Sequence, residues 1–281
     1  EPLSLPTQIT NLDEDDFISR PHGINLVTGP TGSGKTTTLY AVLAKLNNSR
    51  VNIMTLEDPV EYEIAGVNQV QINPAAGLTF ATGLRSFLRQ DPNIILVGEI
   101  RDTETTDLAI QAALTGHLVF STLHTNNAAG AIPRLLDLGA EPFLVASALN
   151  AVVGQRIARR VCPTCKEEYE PEAAVAEDIR KVLGNLLPSD KKIMLYRGKG
   201  SSSAGQPCPA CGGAGYVGRL GVFEVFPVND VIGKLILERA PMGEIEKAAV
   251  SGGMITMKQD GYLKAIEAVT TLEEVLRVAQ D

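Results

Sequence analysis

An α/β fold built on a mostly parallel sheet is what this sequence predicts, and three observations predict it. A glycine-rich loop at 29–36 sits between an apolar run and a helical stretch. Short β-branched runs then alternate with helical stretches as far as about residue 155. Alternation of this kind places helices over the faces of a parallel sheet. Beyond that point the composition changes, with cysteines, prolines and glycines up to 222 and helical periodicity afterwards.

The elements follow in order. Residues 1–23 are polar and carry the acidic run Asp13-Glu14-Asp15-Asp16, read as a solvated linker. The chain begins at Glu1 without Met, so 1–23 is expected to lead in from an upstream domain. Candidate strands are 24–28, 51–56, 93–98 and 117–122, and candidate helices are 36–46, 79–90, 103–115, 126–138 and 142–153. The stretch 198–206, rich in Gly and Ser, reads as a flexible loop. Apolar periodicity returns through 231–250 and 255–268. Thr271 and Glu274 form a capping box that opens a last amphipathic helix from Leu272 to Ala279. The expected divisions are a core at 24–155, a four-cysteine sub-domain at 156–222 and a C-terminal helical region at 223–281. No internal repeat is present.

Composition narrows the function. The 281 residues are 44% hydrophobic, enough for one large domain and a smaller one. The net charge is −8, from 25 basic and 33 acidic residues, which argues against nucleic acid as the main ligand. No apolar run approaches the roughly 18 residues of a membrane span, and no signal peptide is visible.

Gly29-Pro30-Thr31-Gly32-Ser33-Gly34-Lys35-Thr36 fills every position of G-x-x-x-x-G-K-[ST]. Strand before and helix after is the context this motif requires. Glycines let the backbone curl so that its N–H groups face inward, and with the helix N-terminus they make a nest for phosphate. Gly29, Thr31, Gly32, Ser33, Gly34, Lys35, Thr36 and Thr37 are therefore the nucleotide-binding candidates. In this loop type Lys35 reaches the β- and γ-phosphates of ATP and the Thr36 hydroxyl ligates Mg2+.

Hydrolysis also needs carboxylates for magnesium and water. Asn93 to Val97 reads as a core strand leading into Glu99, the place of a Walker B motif, with Gly98 where aspartate is usual. Glu99 is expected to act on magnesium or on the attacking water. A second acidic cluster, Glu57-Asp58-Pro59-Val60-Glu61, follows the strand at 51–56. Glu57 or Glu61 there can polarise water, and a solvated turn at Asp58-Pro59 is the equal alternative. His117 and His124 bracket the strand at 118–122, and His124 is placed for a polar contact to the γ-phosphate. His22 is given no role.

All four cysteines lie in two Cys-x-x-Cys pairs, Cys162/Cys165 and Cys208/Cys211. Two such knuckles supply four thiolates to a closed, structural Zn2+ site. The 42 residues between the pairs exceed a usual zinc-ribbon gap, so the ends of that insertion must return to one point.

Taken in order, the motifs fit a RecA-like P-loop NTPase core and resemble a known family. The phosphate loop, Glu57-Asp58-Pro59-Val60-Glu61, Leu88-Arg89-Gln90-Asp91-Pro92, Val97-Gly98-Glu99-Ile100-Arg101-Asp102 and Thr115 through Thr125 look like five boxes. They are the Walker A, Asp box, arginine segment, Walker B and His box of secretion ATPases. These are the hexameric motors of type II secretion and type IV pilus assembly. The resemblance implies an Mg-dependent ATPase with Glu57 as catalytic base and Glu99 working on magnesium and water. It implies that Arg85, Arg89 and Arg101 serve nucleotide chemistry and subunit contacts. Gly215 to Gly221, with Arg219, resembles the family's glycine-rich segment. In the family the four-cysteine element marks assembly and secretion motors, and retraction motors lack it. The implied partners are five further copies in a homo-hexamer, an inner-membrane platform protein and an upstream domain of the same chain. The implied location is the cytoplasmic face of the inner membrane. Pilus assembly is the leading expectation and type II secretion the alternative. A nucleic-acid translocase is a weaker alternative, disfavoured by charge. A GTPase would need an Asn-Lys-x-Asp element, which is absent.

Overall fold

The computed structural model describes residues 20–201 and 205–279. The acidic run 13–16, most of the 1–23 linker and the centre of the serine-rich loop lie outside them. Strands among the described residues are β1 Gly23–Thr28, β2 Ile53–Glu57, β3 Asn68–Gln71, β4 Ile94–Val97, β5 Leu118–Leu123, β6 Leu149–Val161, β7 Lys166–Tyr169, β8 Leu195–Gly198 and β9 Tyr216–Pro227. The α-helices are α1 Lys35–Leu46, α2 Phe80–Phe87, α3 Thr103–Leu114, α4 Ala131–Asp137, α5 Pro142–Ala148, α6 Ala173–Leu183, α7 Asp230–Leu237, α8 Met242–Ser251, α9 Met257–Ile266 and α10 Leu272–Ala279.

The chain divides into two compact units. The first takes the described residues up to Gln155 together with Glu224–Met254, and the second takes Arg156–Phe223 and the chain from Ile255. The chain passes between them within β6, again within β9 and a third time between α8 and α9. The helices expected as one C-terminal region are therefore shared out: α7 and α8 join the first unit, α9 and α10 the second.

In the first unit the sheet runs β3-β2-β4-β5-β1-β6-β9. The pairs β1/β5, β1/β6, β2/β3, β2/β4 and β4/β5 are all parallel. Parallel strands covered on both faces read as continuous apolar runs, as Ile94–Val97 does. One face packs Ile24, Leu26, Leu56, Ile95, Val97 and Val119 against α2, α3, α4, α5, α7 and α8. Each large side chain fully buried here contributes about 1.5–3 kcal/mol. The close approach of α2 depends on Gly83, where a Cβ would fall 2.5 Å from Leu56 Cδ2. The alternate side chains Ile53, Thr55 and Glu57 face the other way, where the buried Leu39, Tyr40 and Leu43 of α1 lie.

Two sequence expectations change. The helix expected over 142–153 ends at Ala148, where the chain turns extended and Leu149 begins β6. Val152 and Val153 there pair with Leu26 and Val27 of β1. Satisfying the free edge of β1 outweighs local helical periodicity. The helix expected from 126 starts at Ala131, because Asn127 Oδ1 accepts from Gly130 N (2.9 Å) in a turn. Strand β3 is polar, Asn-Gln-Val-Gln, and carries no apolar signal.

In the second unit β7 and β8 pair antiparallel, and Ile179, Leu183, Ile193, Leu195, Tyr262, Ala265 and Val275 form a small core. The capping box at Thr271 forms by half. Thr271 Oγ1 accepts from Glu274 N (3.3 Å), but the Glu274 carboxylate is taken by two arginines. It receives Arg159 N (2.8 Å), Arg159 Nη2 (2.7 Å), Arg277 Nε (2.9 Å) and Arg277 Nη2 (2.7 Å). Arg159 also lies over the Tyr216 ring at 4.0 Å. Burial disfavours the charged carboxylate, yet these donors outweigh it and hold the Glu274 pKa at about 2, below its ordinary 4.5.

A folded-state pKa below the unfolded value stabilises fully above the unfolded pKa and loses its effect as pH falls through the folded one. Glu274→Gln is therefore expected to destabilise the second unit by about 2 kcal/mol near neutral pH, the scale of hydrogen bonds to a charged group. The gap between wild type and variant should close between about pH 4.5 and 2. Urea unfolding across that range checks it, and a gap that stays constant with pH contradicts it.

Candidate nucleotide site and cysteine cluster

The candidate side chains gather where parallel strands end. Gly29 follows β1, Glu57 closes β2, Glu99 lies just beyond β4 and His124 just beyond β5. The pairings β1/β5, β5/β4 and β4/β2 are parallel, so all four strands present carboxyl ends on one edge. Open α/β sheets bind ligands at that edge.

The phosphate loop has the form its glycines imply. Gly32 and Gly34 lie at φ +79° and +85°, and Gly34 leads directly into α1. At Gly29, φ +148°, a Cβ would fall 2.4 Å from Gln155 O and 2.5 Å from Ser33 Oγ. Thr38 Oγ1 donates to Gln155 Oε1 (2.8 Å) and anchors α1 to the start of the loop's floor. Ser33 is buried, and its Oγ has no hydrogen-bond partner among the described residues. An orphaned hydroxyl within a curl of glycines fits an oxygen-rich ligand. Lys35 Nζ donates to the carbonyls of Gly29 (2.9 Å) and Pro30 (3.0 Å), folded back over its own loop. Burial lowers the Lys35 pKa from its ordinary value, and Glu99 pulls the other way. Thr31, Gly32 and Thr37 are exposed. Thr36, half-buried at the start of α1, and the buried Glu99 are the side chains that would hold a magnesium ion, which would neutralise phosphate charge there.

Glu99 is buried and accepts from Arg101 Nε (2.6 Å), and His124 Nε2 lies 3.4 Å from the same Oε2. The segment is pinned by Gly98 N to Leu56 O (2.7 Å) and by Thr122 Oγ1 to Gly98 O (2.7 Å). Glycine stands where a Walker B carries aspartate, and a Cβ there would sit 3.0 Å from Leu56 O. The arginines separate. Arg101 meets Glu99, Arg85 pairs with Glu104 of α3, and Arg89 is exposed beyond α2 without a partner among the described residues. His117 Nδ1 lies 2.9 Å from Ala112 O, a local contact at the end of α3.

Glu57 is 3% exposed, whereas Asp58 and Glu61 are exposed. Its Oε1 accepts from Thr55 Oγ1 (2.5 Å) and Gln69 Nε2 (3.2 Å), and its Oε2 from the Tyr40 hydroxyl. Sequence reading missed Tyr40, Thr55 and Gln69 as members of this group. A tyrosine on the buried face of the phosphate-loop helix was the visible signal, since a buried phenol needs a partner.

In the second unit the four cysteine sulfurs all lie within 4.8 Å of one another. Cys162 and Cys208 sulfurs are 4.0 Å apart and Cys165 and Cys211 sulfurs 3.7 Å. Four Zn–S bonds of about 2.3 Å in a tetrahedron put sulfurs about 3.8 Å apart, so the cluster fits zinc. The knuckles meet because glycines face each other: a Cβ at Gly198 would fall 2.0 Å from Gly215 O. Gly215 N donates to Cys211 Sγ (3.2 Å). Burial opposes ionisation of Cys162, but backbone N–H groups of Cys165 and Thr164 bring its pKa down to about 7. Burial pushes the Cys165 thiol up to about 12 against a donor from Gly200.

A parallel sheet with a filled phosphate loop and two buried carboxylates at its edge defines a P-loop NTPase, here joined to a four-thiol cluster. The chain belongs to the type II/IV secretion system protein family, whose pattern it matches over residues 6–277. It is 51% identical over 264 residues to type II secretion system protein E of Xanthomonas campestris pv. campestris, covering 94% of this chain and 45% of that protein. It is 50% identical over 261 residues to the type IV pilus assembly ATPase PilB of Thermus thermophilus, covering 93% of this chain and 28% of that protein. The chain thus spans about half or less of the length of these relatives. Among solved structures, the pilus retraction motor PilT with bound ADP superposes with a TM-score of 0.69 at 28% identity. That match covers 99% of this chain and 66% of PilT.

Lys35→Ala is expected to cut nucleotide-dependent phosphate release about 10²–10³-fold, the scale for losing one preorganised charge at a reacting phosphate. Circular dichroism should show an unchanged fold. Wild-type phosphate release from a folded variant would remove the loop from the chemistry.

Proposed function

We propose that this chain is the ATP-hydrolysing domain of a hexameric motor that powers type IV pilus assembly by pilin polymerisation. The observation that carries the reading is the carboxyl edge, where the phosphate loop, Glu57 and Glu99 converge in the unit that holds α1. Water attacks the γ-phosphorus of ATP, the bond to the β-phosphate bridging oxygen breaks, and ADP leaves. Glu57 takes the water proton. Lys35 meets the β- and γ-phosphates, His124 approaches the γ-phosphate, and Thr36 and Glu99 hold Mg2+. Glu99 exchanges its contact with Arg101 for that work, which frees Arg101 for the transferred phosphoryl group or a neighbouring subunit. Arg85 and Arg89, exposed on and beyond α2, serve the subunit contact.

The four cysteines hold one structural Zn2+ that closes the sub-domain at 156–222. The chain acts at the cytoplasmic face of the inner membrane, docked on a platform protein. No described helix is long and apolar enough to cross a membrane. An upstream domain of its own chain completes the site, a reading supported by relatives twice as long or more. A type II secretion motor driving pseudopilus assembly is the second reading, favoured by the name of the Xanthomonas relative. Gene deletion separates them, since loss of surface pili supports the first and loss of secreted enzymes the second.

Glu57→Gln is expected to abolish turnover while ATP still binds, and Glu99→Gln to weaken magnesium dependence as well. Full turnover by Glu57→Gln removes it as the base. Specific activity should rise with protein concentration, because cations supplied by a neighbour are worth about 10³-fold or more in phosphoryl transfer. High activity that is flat with concentration in a strictly monomeric sample contradicts the motor.

Elemental analysis should find one zinc per chain. Chelation should open 156–222 to protease and leave the first unit resistant. Metal-free protein purified without chelator contradicts the zinc reading.

A further inference from the structure

The side chain that joins the phosphate-loop helix to Glu57 is Tyr40. It lies five residues after Lys35 on α1 and is 1% exposed. Its hydroxyl donates to Glu57 Oε2 and accepts from Glu61 N (3.3 Å) and Gln69 Nε2 (3.3 Å). The phenol offers one proton and two lone pairs, and the two protons of Gln69 Nε2 are shared among the Tyr40 hydroxyl, Glu57 Oε1 and Tyr62 O. The Tyr40 ring meets the Tyr62 ring edge-on, with centroids 4.6 Å apart. The turn at 58–64 hangs from the same group. Gln69 Nε2 donates to Tyr62 O (3.2 Å), Gln69 Oε1 accepts from Ile64 N (2.6 Å), and Gln71 Oε1 accepts from Val60 N (3.4 Å).

A carboxylate offers about four acceptor positions, two on each oxygen. Thr55 and Gln69 fill both positions on Oε1, and Tyr40 fills one on Oε2. The remaining acceptor position is on Oε2, the oxygen that Tyr40 holds. Thr55 belongs to β2 and Gln69 to β3, so Oε1 is fixed by the sheet. Oε2 is fixed by the helix whose first residues, Lys35 and Thr36, meet the phosphates.

We propose that Tyr40 is a positioning residue for Glu57: its hydroxyl ties Oε2, the oxygen that takes the water proton, to the helix that carries the phosphates. This rests on the reading of Glu57 as the base. Bound nucleotide and proton acceptor are then referenced to one rigid element, not to the exposed turn at 58–62. Misplacing a reacting group by about 1 Å costs up to about 100-fold in rate, which is the size of effect such a tether guards against.

The test compares wild type, Tyr40→Phe, Glu57→Gln and the double variant, all measured at the protein concentration where wild-type activity is maximal. Phenylalanine keeps the ring and its packing and removes only the hydroxyl. Tyr40→Phe should lower kcat about 10- to 100-fold while KM and the affinity for a fluorescent ADP stay within about twofold. In the Glu57→Gln background the same substitution should lower the residual rate no further, because there is no proton acceptor left to position. A merely structural tyrosine would move affinity and thermal stability and would add its loss in both backgrounds. Wild-type kcat in Tyr40→Phe, or an equal loss in both backgrounds, overturns the proposal. If Glu57→Gln is inactive and Tyr40→Phe is fully active, only the tyrosine's role fails. Full turnover by Glu57→Gln overturns the base reading and this one with it. Should Tyr40→Phe not fold, Gln69→Met removes a donor to Glu57 and to Tyr40 from outside α1. It is expected to lower kcat about threefold to tenfold at unchanged ADP affinity, and an unchanged kcat overturns the proposal.

Discussion

Parallel backbone pairing among β2, β4, β5 and β1 is the constraint on which the rest of this molecule depends. The register sets Leu56 beside Val97, Val97 beside Ser121 and Leu26 beside Ser121. Strands so aligned end together, and the residues that follow them have nowhere to go but one edge. Glu57, Glu99, His124 and the phosphate loop are distant in sequence and adjacent only through that alignment. Parallel strands require crossovers, and the helices that supply them cover both faces and bury the sheet. The same burial strips water from the carboxylates and forces each to find partners within the protein.

The two carboxylates meet that demand differently. Glu57 is satisfied by neutral donors, Tyr40, Thr55 and Gln69, drawn from a helix and two strands. Its surroundings are built into the core and have little freedom to change. Glu99 is satisfied by Arg101 and approached by His124, both on the exposed rim. Both partners are solvent-exposed side chains, unlike Tyr40 and Thr55, the buried donors to Glu57. On the proposed reading, this difference divides the work between a fixed base and an exchangeable metal ligand. Lys35 follows the second pattern, since its ammonium rests on loop carbonyls that a phosphate would displace.

The second unit solves a different problem. Its core, with Ile179, Leu183, Leu195, Tyr262 and Val275, is smaller than that of the first unit. Beside that core lie the four-sulfur cluster and the Glu274 ion pairs. In both, residues far apart in sequence converge on one buried point, and at the cysteines the convergence needs tight backbone approach. Gly198 against Gly215 and Gly200 against Gly213 bring the two cysteine knuckles together. Within the 42-residue insertion β7 pairs with β8, which brings Gly198 back beside Lys166 at its start.

What the sequence alone determined is everything carried by local pattern. The glycine spacing of the phosphate loop dictates its positive φ angles, apolar runs mark β1, β2, β4 and β5, and paired Cys-x-x-Cys spacing marks a four-thiol site. Each of these is readable because the residues concerned are neighbours along the chain. What only tertiary structure decided concerns residues whose partners lie far away. Residues 149–153 became strand because β1 offered an open edge, against a helical local pattern. The polar β3 formed because β2 paired with it. Glu274, legible as half of a capping box, was claimed by Arg159 from 115 positions away, because a buried carboxylate takes the strongest donors within reach. Glu57 and Glu61, neighbours in one acidic cluster, part in burial: one closes a core strand and the other lies on the exposed turn beyond it.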